Sequence, residues 1–308
     1  MNKILIIKHG SLGDIVSATS VLKDIRDHFS KAEIVILTTE QFHGFLLDSF
    51  LTDNVLIDDR KGIKYTLKLI TMIVKSKFDL IIDLQNSMRT KIYGMLFRLL
   101  TNASLNGTHL FSTIRYRYDI NKMPSVIDGL SNQVEMLGIK CRRKPYLDWL
   151  NNNKTKINQI VEKKFIIINP GCSKKSIQKK WPAENYLEIC KYLNNINILP
   201  VLIGTKDDEK EIEKISNQSS NVLNLCNKSP LPVIYEIAQK AIGTISNDTG
   251  PAHLIAATGC KIHLILSSFS NIDTVIPRGQ NVTFTQKQNI NNITANEIID
   301  QVSRIFRL

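Results

Sequence analysis

The sequence lacks long apolar runs and is poor in cysteine. No stretch of about 20 apolar residues occurs, so no membrane-spanning helix is expected, and residues 1–8 are too short for the apolar core of a signal peptide. The five cysteines are scattered, without a CxxC pair or a zinc-ligand spacing. An odd, scattered set favours a reducing compartment over a disulfide framework. We therefore expect a cytoplasmic protein.

Several nucleotide and metal motifs are also missing. The turn after the first apolar run contains Gly10 and Gly13, but it has neither the full dinucleotide fingerprint nor a following Walker lysine. This argues against a dehydrogenase or epimerase built on a dinucleotide-binding domain. No Asp-x-Asp motif lies beside a predicted strand, so the sequence calls for no metal and no bound cofactor.

Size and charge narrow the class of protein. A chain of 308 residues is long enough for two domains, and 43% hydrophobic with 22% charged residues is typical of a globular protein. A net charge of +12 suggests an acidic partner, which could be nucleic acid, an anionic membrane surface or a phosphorylated substrate. The alternative is that the excess positive charge simply lies on the solvated surface of a lysine-rich chain.

Strand-like and helix-like patterns alternate along both halves of the chain. Residues 3–8 form an apolar run of strand length, 14–29 have helical periodicity, and 33–38 form the next strand-like run. This alternation predicts an α/β fold with doubly wound parallel sheets. The pattern loosens over residues 102–149. The polar segment 151–156 is the best linker, so we predict domains at 1–153 and 154–308.

The most informative stretch is 246–257. Asp248, Thr249 and Gly250 are turn and N-cap residue types after a strand-like run, and Pro251 suits a first helical position. A strand, turn and helix start binds phosphate through free backbone N–H groups and the helix dipole. His253 could donate to a phosphate or sugar oxygen. The alternative is that Asp248 only caps the helix and His253 packs beneath it.

Three motifs resemble those of one enzyme family. They are Asp248-Thr-Gly-Pro-Ala-His253, Lys8-His-Gly-Ser-Leu-Gly-Asp14, and Asn169-Pro-Gly-Cys-Ser173 followed by Lys179-Lys-Trp-Pro182. Their order and content resemble glycosyltransferase family 9, the bacterial heptosyltransferases. The resemblance implies the GT-B architecture, with two facing Rossmann-like domains. It also implies inverting transfer of heptose from ADP-heptose to an inner-core lipopolysaccharide acceptor, without a metal.

The same resemblance implies roles for individual residues. Asp14 matches the family's proposed catalytic base, which takes the proton from the acceptor hydroxyl; a simple helix cap is the alternative. Glu209 is our choice for a ribose ligand, with Asp208 one position away as the alternative. The residues implied in donor binding are Ser173, Lys179, Glu209, Asp248, Thr249, Gly250 and His253.

Basic residues follow several predicted strands of the first half. Loops after parallel strands converge on one edge of the sheet, and arginine suits carboxylate and phosphate. These basic groups match the acidic, lipid-linked saccharide acceptor that the resemblance implies, with peripheral contact at the cytoplasmic face of the inner membrane. The candidate acceptor-binding residues are Lys8, Arg60, Lys64, Arg89 and Arg117. Taken singly, they could equally be surface charges.

Some alternatives stay open. Residues 267–270, Ser-Ser-Phe-Ser, depart from the glycine-containing turn usual in the family, so another nucleotide sugar or acceptor could replace the heptose pair. An inactive relative would keep the motifs. A basic nucleic-acid-binding module would need aromatic stacking platforms, which only Arg115-Tyr-Arg-Tyr118 suggests, so no nucleic-acid partner is expected. The resemblance also implies that the C-terminal helix, begun by a capping box at Thr294, packs back on the first domain.

Overall fold

The computed structural model describes residues 1–152, 163–172 and 178–308. Its contacts divide the chain into two compact units, Met1–Trp149 and Leu150–Leu308. The predicted boundary after residue 153, with most of the predicted linker, lies outside the described residues.

The first unit contains a parallel six-stranded sheet in the order β3-β2-β1-β4-β5-β6. Its strands are β1 (Lys3–Ile7), β2 (Glu33–Thr38), β3 (Asn54–Ile57), β4 (Leu80–Asp83), β5 (Ser104–Gly107) and β6 (Ile114–Arg115). This strand order is that of a doubly wound sheet, in which the order of the strands reverses between β1 and β4. Ligands of such sheets bind at the carboxyl ends of the strands beside that switch point.

The helices of the first unit connect these strands. They are α1 (Leu12–His28), α2 (Glu40–Leu47), α3 (Ile63–Lys75), α4 (Met88–Leu100) and α5 (Val126–Glu135). β5, β6 and α5 lie in the stretch where the pattern was loose. The sequence of β5, Ser-Leu-Asn-Gly, is typical of a turn, but buried Asn106 donates its amide N–H to the carbonyls of Ile114 and Gln133. Tertiary hydrogen bonds therefore override the local preference.

The second unit repeats the design. Its parallel sheet has the order β12-β11-β10-β7-β8-β9, with its switch point between β7 and β10. The strands are β7 (Phe165–Asn169), β8 (Leu199–Leu202), β9 (Leu223–Asn224), β10 (Gly243–Asn247), β11 (Ile262–Ser267) and β12 (Val282–Lys287). The central strands read as continuous apolar runs because both faces of a parallel sheet are covered.

The helices of the second unit are α6 (Ala183–Asn195), α7 (Glu209–Gln218), α8 (Leu231–Lys240), α9 (Gly250–Ala257), α10 (Ile272–Val275) and α11 (Ala295–Phe306). Thr294 caps α11 by accepting a hydrogen bond from the Glu297 backbone N–H. α11 packs on α6. A Cβ on Gly243 would lie 2.6 Å from the Phe306 ring, so this strand position requires glycine. The last helix therefore contributes to the core of the second unit.

Among the described residues, no helix is long and apolar enough to cross a membrane.

A buried histidine joins the last two strands of the second sheet. His263 on β11 is 1% exposed, and its two ring nitrogens lie 2.9 and 3.0 Å from the hydroxyls of Thr283 and Thr285 on β12. Burial lowers the pKa of His263 to about 4. The imidazole is therefore neutral in the folded protein at neutral pH.

This histidine makes stability depend on pH. Between about pH 6.5 and 4, His263 binds a proton in the unfolded chain but not in the folded chain. The free energy of unfolding therefore falls as the pH falls, by up to about 1.4 kcal/mol per pH unit. Urea unfolding of the wild type and of His263→Gln should show a shallower slope for the variant in this window. His28→Gln, at an exposed position, is the matched control. An unchanged slope in His263→Gln would contradict this account.

Candidate active site

Asp14 lies in the first turn of α1, directly beyond the carboxyl end of β1. Its Oδ2 accepts hydrogen bonds from the Ser11 backbone N–H at 2.8 Å and from the Ser11 hydroxyl at 3.2 Å. This is a capping box, so Asp14 does cap the helix. The side chain is still 33% exposed, and its Oδ1 lies 3.8 Å from the Lys8 Nζ. The carboxylate is oriented and remains accessible.

Lys8 is buried, not part of an exposed rim. It is 4% exposed, and its Nζ donates to the Leu84 carbonyl at 3.3 Å. Burial lowers the pKa of Lys8, while the charges of Asp14 and Asp83 act in the opposite direction. The ammonium therefore lies against the carboxylate of Asp14, at the switch point between β1 and β4.

A second buried carboxylate organises the loops beside this point. Asp58, after β3, accepts two 2.8 Å hydrogen bonds from the Arg89 guanidinium and one of 2.8 Å from the Tyr93 hydroxyl. It also accepts from the Arg60 backbone N–H at 3.1 Å. Burial opposes ionisation of Asp58, but these donors outweigh it and hold the pKa of the carboxyl below its ordinary value. The carboxylate thus joins the loop after β3 to α4.

His9 completes this cluster from the turn after β1. Its Nε2 lies 3.4 Å from the Asp58 Oδ2, and the side chain is 1% exposed. Burial lowers the pKa of His9 to about 4, even though Asp58 acts to raise it. His9 is therefore neutral at neutral pH. Gly10, next along the chain, has φ of +114°, and a Cβ there would lie 2.3 Å from the Phe42 ring, so the turn requires glycine.

A cavity of about 720 Å³ opens beside Asp58 at the carboxyl ends of β1, β2 and β3. Its lining includes two cationic residues, Arg60 and Lys61, and three acidic ones, Glu40, Asp58 and Asp59, besides His9, Ser11 and Thr39. The Lys61 Nζ lies 3.1 Å from the Asp59 Oδ2. Three loops therefore line one cavity with groups of both charges, next to the turn that carries Asp14.

The predicted acceptor residues differ in their surroundings. Arg60 is exposed and lines the cavity, and Lys64 is exposed on the first turn of α3. Arg89 is paired with Asp58, so much of its hydrogen-bonding capacity is already used. Arg117 is exposed beyond β6, at the far edge of the sheet from Arg60. The structure thus brings Lys8 close to Asp14, and Arg60 close to Arg89, but places Arg117 apart.

In the second unit, the loops after β7 and β10 are joined by two asparagines. Asn169 Nδ2 donates to the Ser246 and Thr249 hydroxyls at 3.0 and 2.9 Å. Asn247 is fully buried; its Nδ2 donates to the Pro170 carbonyl at 2.9 Å, and its Oδ1 accepts from the Tyr186 hydroxyl at 2.9 Å. These bonds fix the turn that starts α9 against the loop after β7.

Lys179 and Asp248, both predicted donor ligands, contact each other. The Lys179 Nζ lies 2.8 Å from the Asp248 Oδ2, with side-chain exposures of 20% and 13%. The same oxygen accepts from the Ser270 hydroxyl at 2.9 Å. This ammonium–carboxylate–hydroxyl group lies at the carboxyl ends of β10 and β11. It can bind hydroxyl and phosphate oxygens together.

Thr249 is the N-cap of α9, and its side chain does not cap the helix; it accepts from Asn169 instead. Gly250 opens the helix and Pro251 follows at its second position, so the helix begins one residue earlier than predicted. His253 is half-buried one turn further along. The N-terminal end of α9 therefore lies beside Lys179 and Asp248, which suits an anionic group.

The remaining donor candidates divide into three cases. Ser173 lies outside the described residues. Asp208 is buried, and its carboxylate accepts from the Thr205 backbone N–H at 3.0 Å and the Cys172 N–H at 3.4 Å; it holds two loops together. Glu209, half-buried at the start of α7, accepts from the Asn227 amide at 3.0 Å. Asp208 therefore has an evident structural role, and the ribose assignment to Glu209 stays a prediction.

Among the residues that the structure describes, no group of three or more His, Cys, Asp and Glu side chains could hold a metal ion.

Sequence reasoning missed two residues of the site. The motifs assigned no role to Asp58, although a carboxylate directly after a predicted strand is itself a signal. Ser270 was noticed only as a departure from a family pattern. Its bond to Asp248 depends on the separate paths of β10 and β11, which no local pattern reveals.

Comparison with known proteins identifies the family. The model of glycosyltransferase family 9 (heptosyltransferase) matches residues 66–262, more than half of the 308-residue chain. The chain belongs to glycosyltransferase family 9. The protein is therefore a glycosyltransferase, as the motifs predicted, and not a basic nucleic-acid-binding module. The matched span includes the motif at residues 248–253 and begins after Asp14.

Individual relatives extend over most of the chain. The lipopolysaccharide core heptosyltransferase OpsX of Haemophilus influenzae is 24% identical over 295 residues, covering 89% of this chain and 83% of the relative. Among solved structures, E. coli ADP-heptose lps heptosyltransferase II has a TM-score of 0.77 at 16% identity, covering 99% of this chain and 98% of that one. E. coli heptosyltransferase WaaC with ADP-2-deoxy-2-fluoro heptose has a TM-score of 0.76 at 16% identity, covering 98% and 99%.

At these identities the likeness to solved structures concerns the fold. It is the α/β GT-B fold that the resemblance implied, with one Rossmann-like sheet in each unit.

The turn that starts α9 depends on Asn247, and this dependence can be measured as a change in the free energy of unfolding. Asn247→Ala leaves the Tyr186 hydroxyl and the Pro170 carbonyl without their partner, so the free energy of unfolding should fall by about 2 kcal/mol. Tyr186→Phe should cost much less in the Asn247→Ala protein than in the wild type, because the hydroxyl has already lost its acceptor.

Urea unfolding of the four proteins of this double-mutant cycle measures the coupling. Asn281→Ala is the control, since it removes an exposed amide bonded to the Gly259 carbonyl. Strict additivity of Asn247→Ala and Tyr186→Phe would show that the two side chains do not act together.

Proposed function

We propose that this family 9 enzyme transfers heptose from ADP-heptose to an acidic acceptor of the inner-core lipopolysaccharide, with inversion at the anomeric carbon. Its relatives support the sugar and the pathway: OpsX is a lipopolysaccharide core heptosyltransferase, and the E. coli WaaC structure contains an ADP-heptose analogue. The observation that supports this chemistry is a pair of features. The first unit has an oriented, accessible carboxylate, Asp14, and the second has a helix start, at Gly250, that suits an anion.

Asp14 is the general base of the proposed reaction. An acceptor hydroxyl oxygen forms a bond to the anomeric carbon while the bond from that carbon to the ADP phosphate oxygen breaks. The hydroxyl proton passes to a carboxylate oxygen of Asp14, and ADP leaves. The bonds from Ser11 orient the carboxylate. The Lys8 Nζ lies 3.8 Å from the other carboxylate oxygen. Attack on the face opposite the departing diphosphate gives inversion.

The leaving diphosphate gains negative charge as the bond breaks. Lys179 supplies a positive charge beside it, and the N-terminal end of α9 at Thr249 and Gly250 supplies backbone dipoles. Family resemblance adds Ser173. These groups can stabilise the departing charge in the way that a metal does in other transferases, so the proposal includes no metal.

The acceptor is proposed to bind in the first unit. Exposed Arg60 lines the 720 Å³ cavity beside the turn that carries Asp14 and suits a carboxylate or phosphate on an acidic saccharide, whereas Lys61 beside it is paired with Asp59. A net charge of +12 favours peripheral contact with an anionic membrane surface, where a lipid-linked acceptor is found.

A second donor remains a candidate because residues 267–270 depart from the family pattern. A family 9 transferase that uses another nucleotide sugar would keep the same base and the same diphosphate site, and would differ where the sugar binds.

Asp14→Asn should reduce the transfer rate by a factor of about 10²–10⁴, the usual contribution of a general base. The amide keeps an oxygen that can accept from Ser11, so the turn and the ADP affinity should survive. Initial rates of ADP release with acceptor present, and ADP titrations of the same protein, measure the two effects. Asp27→Asn is the control, because it makes the same change at an exposed carboxylate near the other end of α1. Normal turnover by Asp14→Asn would show that another group is the base.

Calorimetric titration with ADP, ADP-heptose and GDP-mannose, in the presence of a chelator, tests the donor and the absence of a metal. ADP-heptose should bind most tightly, ADP more weakly and GDP-mannose not measurably. Preference for another nucleotide sugar would leave the fold and base in place and remove heptose from the proposal. Binding that requires added divalent metal would contradict the metal-independent mechanism.

A further inference from the structure

A small cavity lies beside the Lys179–Asp248–Ser270 group. It has a volume of about 340 Å³, and its lining includes Lys180, Phe269, Gln288, Asn289 and Asn291. Lys180 follows Lys179 in the chain, and Phe269 precedes Ser270. The cavity is therefore next to the predicted donor site, and no assigned role uses the residues that line it.

The loop that carries Phe269 is held firmly. The Ser270 hydroxyl donates to Asp248, and the Gln286 amide donates to the carbonyls of Ser267 and Ser270 at 3.0 and 2.9 Å. The Ser268 hydroxyl donates to the Gln288 carbonyl at 3.0 Å. In this hydrogen-bonded loop, the side chain of Phe269 is 64% exposed. A large aromatic ring on a rigid loop, left open to solvent at a cavity, is arranged for contact with a ligand.

The lining indicates an uncharged ligand rich in hydroxyl groups. The charge of Lys180 is balanced by Glu211, whose Oε1 lies 2.6 Å from the Nζ, so the cavity has no strong preference for an anion. The side-chain amides of Gln288, Asn289 and Asn291 both donate and accept, as hydroxyl groups require. An aromatic face beside amides suits a sugar ring, which presents C–H groups on one side and hydroxyls at its edge.

The strand order separates the sugar from the nucleoside. Along the carboxyl edge of the second sheet, Glu209 follows β8, Thr249 follows β10, Phe269 follows β11, and Gln288 follows β12. With Glu209 as the ribose ligand and the diphosphate at α9, the ribose lies on the β8 side of the switch point. The donor's sugar must then lie on the opposite side, toward β11 and β12, since neighbouring strands are about 5 Å apart.

We infer that the cavity of Phe269 receives the donor's sugar ring, and that Phe269 determines how strongly the enzyme prefers a nucleotide sugar to the free nucleotide. This inference rests on the proposed function for the order of the donor's parts. The serine–phenylalanine loop that departs from the family pattern would then be the feature that sets sugar specificity in this chain.

The test compares ADP with ADP-heptose on the purified full-length chain. Phe269→Ala should weaken ADP-heptose binding about fivefold to tenfold, as expected for loss of one aromatic contact, and should leave ADP binding within about twofold. Phe269→Tyr keeps the ring and should restore the preference for the nucleotide sugar. Phe284→Ala is the matched control, because Phe284 is 42% exposed on β12 and lies outside the cavity lining.

Two results would overturn the inference. Unchanged affinity of Phe269→Ala for both ligands would show that the ring touches no part of the donor. Equal weakening for ADP and ADP-heptose would place the ring against the nucleotide instead, as in base stacking. If the wild type prefers another nucleotide sugar, the heptose assignment fails, and the same comparison with that sugar and its nucleotide still decides the role of Phe269. If no nucleotide sugar binds, both proposals fail.

Discussion

Parallel pairing between β7 and β10 is the constraint on which the donor side of the site depends. In the register of this pair, Asn169 lies opposite Ser246, so the two strands end together and both following loops begin at the same edge. Asn169 and Asn247 then join those loops through buried amides, whose bonds are strong because water is excluded. Lys179, Asp248 and the start of α9 come together as a result, although the chain between them is long.

In the first unit, an ion pair with a buried carboxylate holds the loop after β3 against α4. Asp58 is a buried carboxylate that is tolerated because Arg89, Tyr93 and the Arg60 backbone all donate to it. Removing one donor would leave a buried negative charge with too few partners, so these side chains act as a set. The arrangement keeps the loop of Arg60 close to the neutral imidazole of His9. A structural ion pair therefore defines one wall of the cavity where the acceptor is proposed to bind.

The two units have the same sheet topology, but the polar side chains at their switch points suit different chemistry. In the first, a buried ammonium and a helix cap orient an accessible carboxylate, which suits proton transfer. In the second, a helix N-terminal end lies beside the paired Lys179 and Asp248, and its backbone N–H groups suit a diphosphate. Fold alone does not distinguish these uses; the distinction comes from the side chains that each switch point carries.

The sequence by itself determined the alternation of strands and helices, the turns at Gly10 and Gly250, and the family. These depend on local periodicity and on motifs of adjacent residues. It did not reveal β5, whose turn-like residues pair through buried Asn106, and it gave Asp58 and Ser270 no role. It also could not show that Lys8 is buried or that Arg89 already holds a carboxylate. Tertiary structure decided these points, because burial and ion pairing depend on residues that are distant in the chain and adjacent only after strands pair.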